Sequence, residues 1–154
     1  MKKILLGFMV IVLCLSAVLG EYTYVNAAER SDEDVAFADL MTENALIGFS
    51  DSNTWGVYYG SGMSIINDSG GGKIGWGGAT HASRSCQVSV NAIVERYTGG
   101  SWVRVTSATT TRENALVATV SKISLVGSGY YYRVRCIHDA ETDRGYSSTD
   151  ALRM

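Results

Sequence analysis

The stretch that decides the fold is Val94-Glu95-Arg96-Tyr97-Thr98-Gly99-Gly100-Ser101-Trp102-Val103-Arg104-Val105. Thr98 to Ser101 read as a turn, with two glycines at the tip where a hairpin needs positive φ. Folding the chain back on itself there sets Tyr97 opposite Trp102, Arg96 opposite Val103, Glu95 opposite Arg104 and Val94 opposite Val105. In that register Val94 and Val105 face a core. Glu95 and Arg104 form an opposite-charge pair on the outer face, and Tyr97 and Trp102 an aromatic pair beside them. Cross-strand pairs of these kinds contribute roughly 0.2–1 kcal/mol each. Apolar facing, charge pairing and turn chemistry agree, and that agreement predicts an antiparallel hairpin.

Outward from the hairpin the period of two continues. Cys86-Gln87-Val88-Ser89-Val90-Asn91-Ala92 alternates, with Cys86, Val88, Val90, Ala92 and Val94 turned inward. After the turn Gly127-Ser128-Gly129, the run Tyr130-Tyr131-Tyr132-Arg133-Val134-Arg135-Cys136 puts Tyr130, Tyr132, Val134 and Cys136 on one face. Earlier segments read as short strands: Trp55–Tyr59 and Met63–Ile66 separated by Gly60-Ser61-Gly62, then a turn over Asn67–Gly72 and a glycine-rich strand over Lys73–Ala79. Leu116–Val126 is strand-like but its parity changes near Ser121-Lys122, as a bulge would cause. The expectation is an all-β fold, a small immunoglobulin/fibronectin-like β-sandwich of about seven strands over residues 45–154. Cys86 and Cys136 both point inward, so in an oxidising compartment they are expected to form one disulfide. Closing that loop of about 50 residues is worth roughly 4 kcal/mol in the chain-entropy model.

The ends of the chain bear on compartment. Met1-Lys2-Lys3 is followed by an apolar run from Ile4 to Gly20 and then by Val25-Asn26-Ala27. Residues 1–27 thus read as a secretory signal peptide cleaved after Ala27, with an uncleaved anchor as the alternative. Cys14 follows Leu13, which is not the small residue a lipoprotein signal wants, and is expected to leave with the signal. The chain lacks proline, which excludes a Leu-Pro wall-sorting motif. A secreted, extracellular protein with no membrane attachment after cleavage is the expectation. Residues 28–60 carry seven acids against Arg30, while residues 61–154 carry ten bases against seven acids. Residues 28–44 are therefore expected to form an acidic leader, mobile or a short helix. A net charge of +3 on the body is too low for a nucleic-acid partner.

Motifs for catalysis are sparse. His81 and His138 lie apart, and neither a Gly-x-Ser-x-Gly elbow nor a Cys-x-x-Cys pair occurs. Gly71-Gly72-Lys73 lacks the hydroxyl residue of a phosphate loop, since Ile74 stands there. Neither an enzymatic activity nor a cofactor is expected. Asp139, Glu141 and Asp143 at alternate positions make a loose calcium candidate, with the turn glycine, Gly145, one residue late. The better candidates are aromatic and basic. Tyr97 and Trp102 form one outer group, and Tyr131, Arg133 and Arg135 a second. Exposed flat rings stack on sugar faces and anchor protein partners.

Two resemblances complete the reading. Residues 126–136 resemble the tyrosine-corner segment of fibronectin type III domains, which places Tyr132 at the corner tyrosine. The chain from about residue 55 onward resembles a family of short secreted proteins of Gram-positive bacteria known as a domain of unknown function. The shared segments are Ser61-Gly62-Met63-Ser64-Ile65, Gly72-Lys73-Ile74, the hairpin, and Gly129-Tyr130-Tyr131-Tyr132-Arg133-Val134-Arg135 followed by His138. That resemblance implies secretion and one β domain, and brings no activity. The expected role is a binding module at or outside the cell envelope, its partner an extracellular glycan, wall polymer or protein. A bacteriocin-like antagonist and a structural matrix or surface component are the alternatives.

Overall fold

The computed structural model describes residues 32–50 and 56–154. The expected signal peptide, with Cys14, and the beginning of the expected strand at Trp55 lie outside the described residues. Eight strands follow in chain order: β1 (Glu33–Asp34), β2 (Leu46–Phe49), β3 (Tyr59–Gly70), β4 (Lys73–Thr98), β5 (Ser101–Leu125), β6 (Tyr131–Ala140), β7 (Asp143–Ser148) and β8 (Leu152–Arg153). All pair antiparallel, and all belong to one sheet.

The hairpin has the expected register from Thr98↔Ser101 through Glu95↔Arg104. Gly99 and Gly100 sit at φ 59° and 82°, which L side chains rarely adopt. One residue further the register shifts. Val94 pairs with Thr106, and Val105 is taken up by a bulge. Val94 is fully buried and Val105 packs, half-buried, against the same core, so both valines face inward although they are not directly opposed.

The hairpin is much longer than expected. Lys73–Ala79 and Cys86–Ala92 are not separate strands but parts of the single strand β4, and β5 follows it along its whole length. Ala79 to Ser85 contains neither glycine nor proline, so the chain does not turn there. It bends instead, through register shifts between His81 and Val88. The proximal half of β4, Lys73 to Ala82, is flanked by β3, and the distal half, Val88 to Arg96, by β6. The glycine-rich stretch near Gly60 likewise does not break β3 but holds a bulge between Tyr59 and Ser61.

The bend brings the two halves together over one core. Ile66, Ile74 and Trp76 from the proximal half pack in the same cluster as Val88, Val90, Val94, Tyr132 and Val134 from the distal half. Thr80 Oγ1 donates to the Ser89 carbonyl at 2.8 Å, across the bend. Gly78 permits the approach: a Cβ there would lie 2.5 Å from Cys136 Sγ.

Cys86 and Cys136 are free and buried, which corrects the expected disulfide. Both do face inward. Parity fixes the face of a strand residue, however, and not its position along the strand. Cys136 pairs with Ala92, six residues from Cys86 along β4, a separation of roughly 20 Å at the usual rise per residue.

Residues 32–44, expected as a mobile or helical leader, pack on the sheet, and Ser31–Met154 forms one compact unit. Glu33 and Asp34 pair with β5, and Phe37–Leu40 make a short 3₁₀ helix. Leu40 is 2% exposed. It lies over Gly75, where an added Cβ would come within 2.7 Å of its Cδ2. Asn67 Nδ2 donates to the Leu40 carbonyl at 2.9 Å. Trp76 Nε1 donates to Ser124 Oγ at 2.6 Å, and Ser124 Oγ donates to Asp32. Thr106 Oγ1 also donates to Asp32, at 2.9 Å, and Lys122 pairs with Asp34 at 2.7 Å. The proximal half is thereby covered on both faces, and every residue from Ile74 to Thr80 is buried. This cover also explains the parity change in β5. No register shift occurs near Ser121-Lys122. Ile123 belongs to the second face, where Glu33 pairs with it.

Candidate functional site

The distal half carries one core face and one outer face. Opposed residues on neighbouring strands share a face, so the register assigns the outer one row by row. Tyr97 stands beside Trp102, Glu95 between Arg104 and Arg133, Ile93 between Ser107 and Arg135, and Asn91 between Thr109 and Ile137. The last two rows extend onto β7, with Ser148 beyond Arg135 and Tyr146 beyond Ile137. Tyr131 alternates with Arg133 and Arg135 on β6 and continues the aromatic end. All five sequence-derived candidates, Tyr97, Trp102, Tyr131, Arg133 and Arg135, thus fall on one surface.

Their contacts are specific. The Tyr97 and Trp102 rings lie 5.3 Å apart and tilted by 60°. The Arg133 guanidinium sits 4.4 Å over the Trp102 ring, a cation–π arrangement. Arg133 Nε and an Arg133 terminal nitrogen both reach Glu95 Oε2 at 2.8 Å. Arg135 Nε reaches Glu95 Oε1 at 3.3 Å. Glu95 therefore does not pair with Arg104, which faces it across the ladder; Arg104 donates to Ser107 instead. Glu95 is 7% exposed, a buried carboxylate holding two guanidinium groups in place. Tyr97, Tyr131 and Tyr146 remain open at 44%, 46% and 53% exposure. Sequence pattern placed the rings and the arginines but missed Glu95 as their anchor. It also missed Tyr146, because β7 joins this face only through its pairing with β6.

The calcium candidates do not converge. Asp139 accepts from Arg144 Nε at 2.6 Å, Glu141 from the Gln87 amide at 3.1 Å, and Asp143 from the Tyr58 and Tyr59 amides at 2.7 and 3.2 Å. Those two amides hold the Asp143 carboxyl below its ordinary pKa. Each acid serves a different structural contact, and no group of three metal-ligating side chains occurs among the described residues.

Neither cysteine is set up as a nucleophile. Cys86 opens onto a polar cleft of about 420 Å³ at the bend, lined by Tyr58, Ser85, Gln87, Glu113, Asn114 and Glu141. Burial, with the Glu141 and Asp143 charges behind it, raises its thiol pKa. Burial pushes the Cys136 thiol up to about 12. Such thiols stay protonated near neutrality, and the thiolate is the reactive form.

His138 is a core residue. Its Nδ1 lies 2.8 Å from Thr80 Oγ1 and its Nε2 2.7 Å from Ser147 Oγ. Thr80 spends its hydroxyl proton on the Ser89 carbonyl, so Nδ1 must carry the hydrogen and Nε2 must accept from Ser147. Burial lowers the His138 pKa to about 4. A Cβ on Gly62 would lie 2.4 Å from the imidazole, so glycine is what lets β3 pass over it. Gly71 and Gly72 form the β3–β4 turn, both at positive φ, and Lys73 opens β4.

Tyr132 Oη donates to the Gly127 carbonyl at 2.8 Å, five residues upstream. That is the bond by which a corner tyrosine ties a strand to the loop before it.

No family model matches the chain, and neither the curated proteins nor the solved structures contain a significant match.

Proposed function

We propose that the protein is a secreted binding module whose outer face over β5, β4, β6 and β7 takes a glycan or wall polymer at or outside the cell envelope. One observation carries this reading: Arg133 is clamped between the Glu95 carboxylate and the Trp102 ring, beside tyrosines that remain exposed. Side chains held rigid before binding lose little freedom on complex formation. Rings beside fixed hydrogen-bond donors present what a sugar offers in return, an apolar face and a rim of hydroxyls.

Secretion is supported by the basic start, apolar run and Val-Asn-Ala site at the N-terminus. Among the described residues no helix is long and apolar enough to cross a membrane. Kinship with the short secreted Gram-positive family is part of the same proposal and rests on the Gly129–Arg135 segment and the hairpin. The finer architecture, an immunoglobulin/fibronectin-like sandwich made by doubling one sheet over, is supported by the core shared between the halves and by the Tyr132 bond.

Trp102→Ala tests the reading on a glycan array and in a thermal melt. The ring lies on the outer face, so the melting temperature should move by only a few degrees, while binding falls about tenfold, equivalent to about 1.4 kcal/mol. Unchanged binding refutes the proposed face. So does a collapse of stability on the scale of a large-to-small core substitution, since the ring would then be structural.

A further inference from the structure

Resting on that reading of the face, we infer that its ligand is a polyanionic polymer with acid groups repeating along the chain, and that Glu95 is the positioning residue that sets the arginines for it.

Charge on the face gives the sign of the ligand. Glu95 is shared by Arg133 and Arg135, which leaves one positive charge in that group. Arg104 bonds to a neutral hydroxyl and adds a second. Arg144 and Asp139 cancel. Neither acid is available to repel an anion: the Glu95 side chain is 9% exposed and covered by its two partners, and Asp139 is tied to Arg144.

Donor geometry gives the form. Arg135 is held through Nε alone, so among the described residues both of its terminal nitrogens lack a protein acceptor. Arg133 retains one such nitrogen. A guanidinium matches the paired oxygens of a phosphate or carboxylate. Arg133 and Arg135 are two residues apart on one strand, so their origins are separated by roughly 7 Å. That spacing fits acid groups carried on successive units of an extended polymer, with the exposed Tyr97 ring against the unit beyond. A nucleic acid is a poorer match, because two uncompensated charges are few for a duplex surface.

The experiment uses residues 28–154 and follows binding calorimetrically at low and high salt. The probes are poly(glycerol phosphate), polygalacturonate, neutral dextran and single-stranded DNA. The first two separate phosphodiester from carboxylate as the source of the anion. Binding to at least one of them, at least tenfold tighter than to dextran and weakened several-fold by salt, is expected. Glu95→Gln then separates positioning from bulk attraction. It adds a positive charge, so attraction alone makes binding tighter, whereas loss of the clamp makes it several-fold weaker, the result expected here. Arg135→Lys preserves the charge and removes the planar fork, and it should also weaken binding several-fold. It serves as the test if Glu95→Gln does not fold.

Dextran binding as tight as the polyanions, and indifferent to salt, would overturn the polyanion inference and leave the binding face standing. DNA binding tighter than both polymers would overturn it in favour of a nucleic acid. If no probe binds, both this inference and the reading beneath it fail. Tighter binding by Glu95→Gln would overturn the role given to Glu95.

Discussion

Acidification should weaken this fold in two pH windows, and the first belongs to His138. The imidazole is neutral in the fold, its Nδ1–H bonded to Thr80 and its Nε2 accepting from Ser147. Its pKa falls from 6.5 to about 4 in the folded state, chiefly through burial and slightly opposed by Asp139. Below pH 6.5 the unfolded chain takes up a proton that the folded chain refuses, so stability falls with pH down to about 4 and then levels for this group. Keeping the proton off the imidazole from pH 6.5 down to about 4 costs the fold about 3 kcal/mol, at about 1.36 kcal/mol for each tenfold step in proton affinity. Asp143 acts lower. The Tyr58 and Tyr59 amides depress its pKa below 3.8, so its contribution is present above that value and is lost as pH falls through its folded pKa. The two windows are therefore separable. Urea unfolding between pH 7.5 and pH 4 should show the wild-type free energy dropping by about 3 kcal/mol from this site. His138→Asn, which cannot titrate, should start less stable and lack that component. Equal pH slopes in wild type and variant would refute the buried neutral imidazole and the hydrogen assignment that follows from it.

Three further outcomes test the architecture. Leu40→Ala should lower the unfolding free energy by about 3 kcal/mol in urea titration, as for other buried leucines; an unchanged midpoint would mean that the 32–44 segment is not part of the core. Gly78→Ala forces a Cβ to within 2.5 Å of Cys136 Sγ, and a loss of about 1–3 kcal/mol is expected. Cys136→Ala should recover part of that loss, and no recovery in the double variant would show that the thiol is not the obstacle. A denatured but unreduced protein of residues 28–154 should show two alkylatable thiols by intact mass, and a bonded form two mass units lighter would contradict the register between β4 and β6.

What could be read from the sequence divides by distance along the chain. The hairpin was legible because its signals are local: two glycines at the tip, then pairs whose facing is fixed by counting outward. The same counting placed Tyr97, Trp102, Tyr131, Arg133 and Arg135 on outer faces. It gave no sign that the two groups are adjacent, because that depends on β6 lying against the distal half of β4. The disulfide failed for a related reason. Alternation reveals which way Cys86 and Cys136 point but carries no information about the offset between strands. The packing of the acidic segment onto the sheet is not legible because its partners are remote: Asn67 lies 27 residues from Leu40, and Ser124 lies 92 residues from Asp32. Its acids look like a solvated run until Asp32 and Asp34 are seen at Ser124, Thr106 and Lys122. The calcium candidate arose in the same way, from carboxylates counted together that the fold employs separately.

The length of the β4–β5 hairpin has a consequence for how the chain reaches this structure. Each rung, from Thr98–Ser101 out to Lys73–Leu125, encloses only slightly more chain than the one before. Zipping outward from the glycine tip therefore adds little closure entropy at any step. The bonds that hold β6 and β7 against the first half of the chain are of another kind, joining Thr80 to His138 over 58 residues and Asp143 to Tyr58 over 85. Such distant joins are slow to find. We expect the hairpin to assemble first as a long ribbon, and the contacts across the bend at Ala82–Gln87 to form late. In that order of events the buried histidine network is the latch that marks completion, and hydrogen exchange should protect the ladder amides of β4 and β5 on either side of the glycine tip before those of β7.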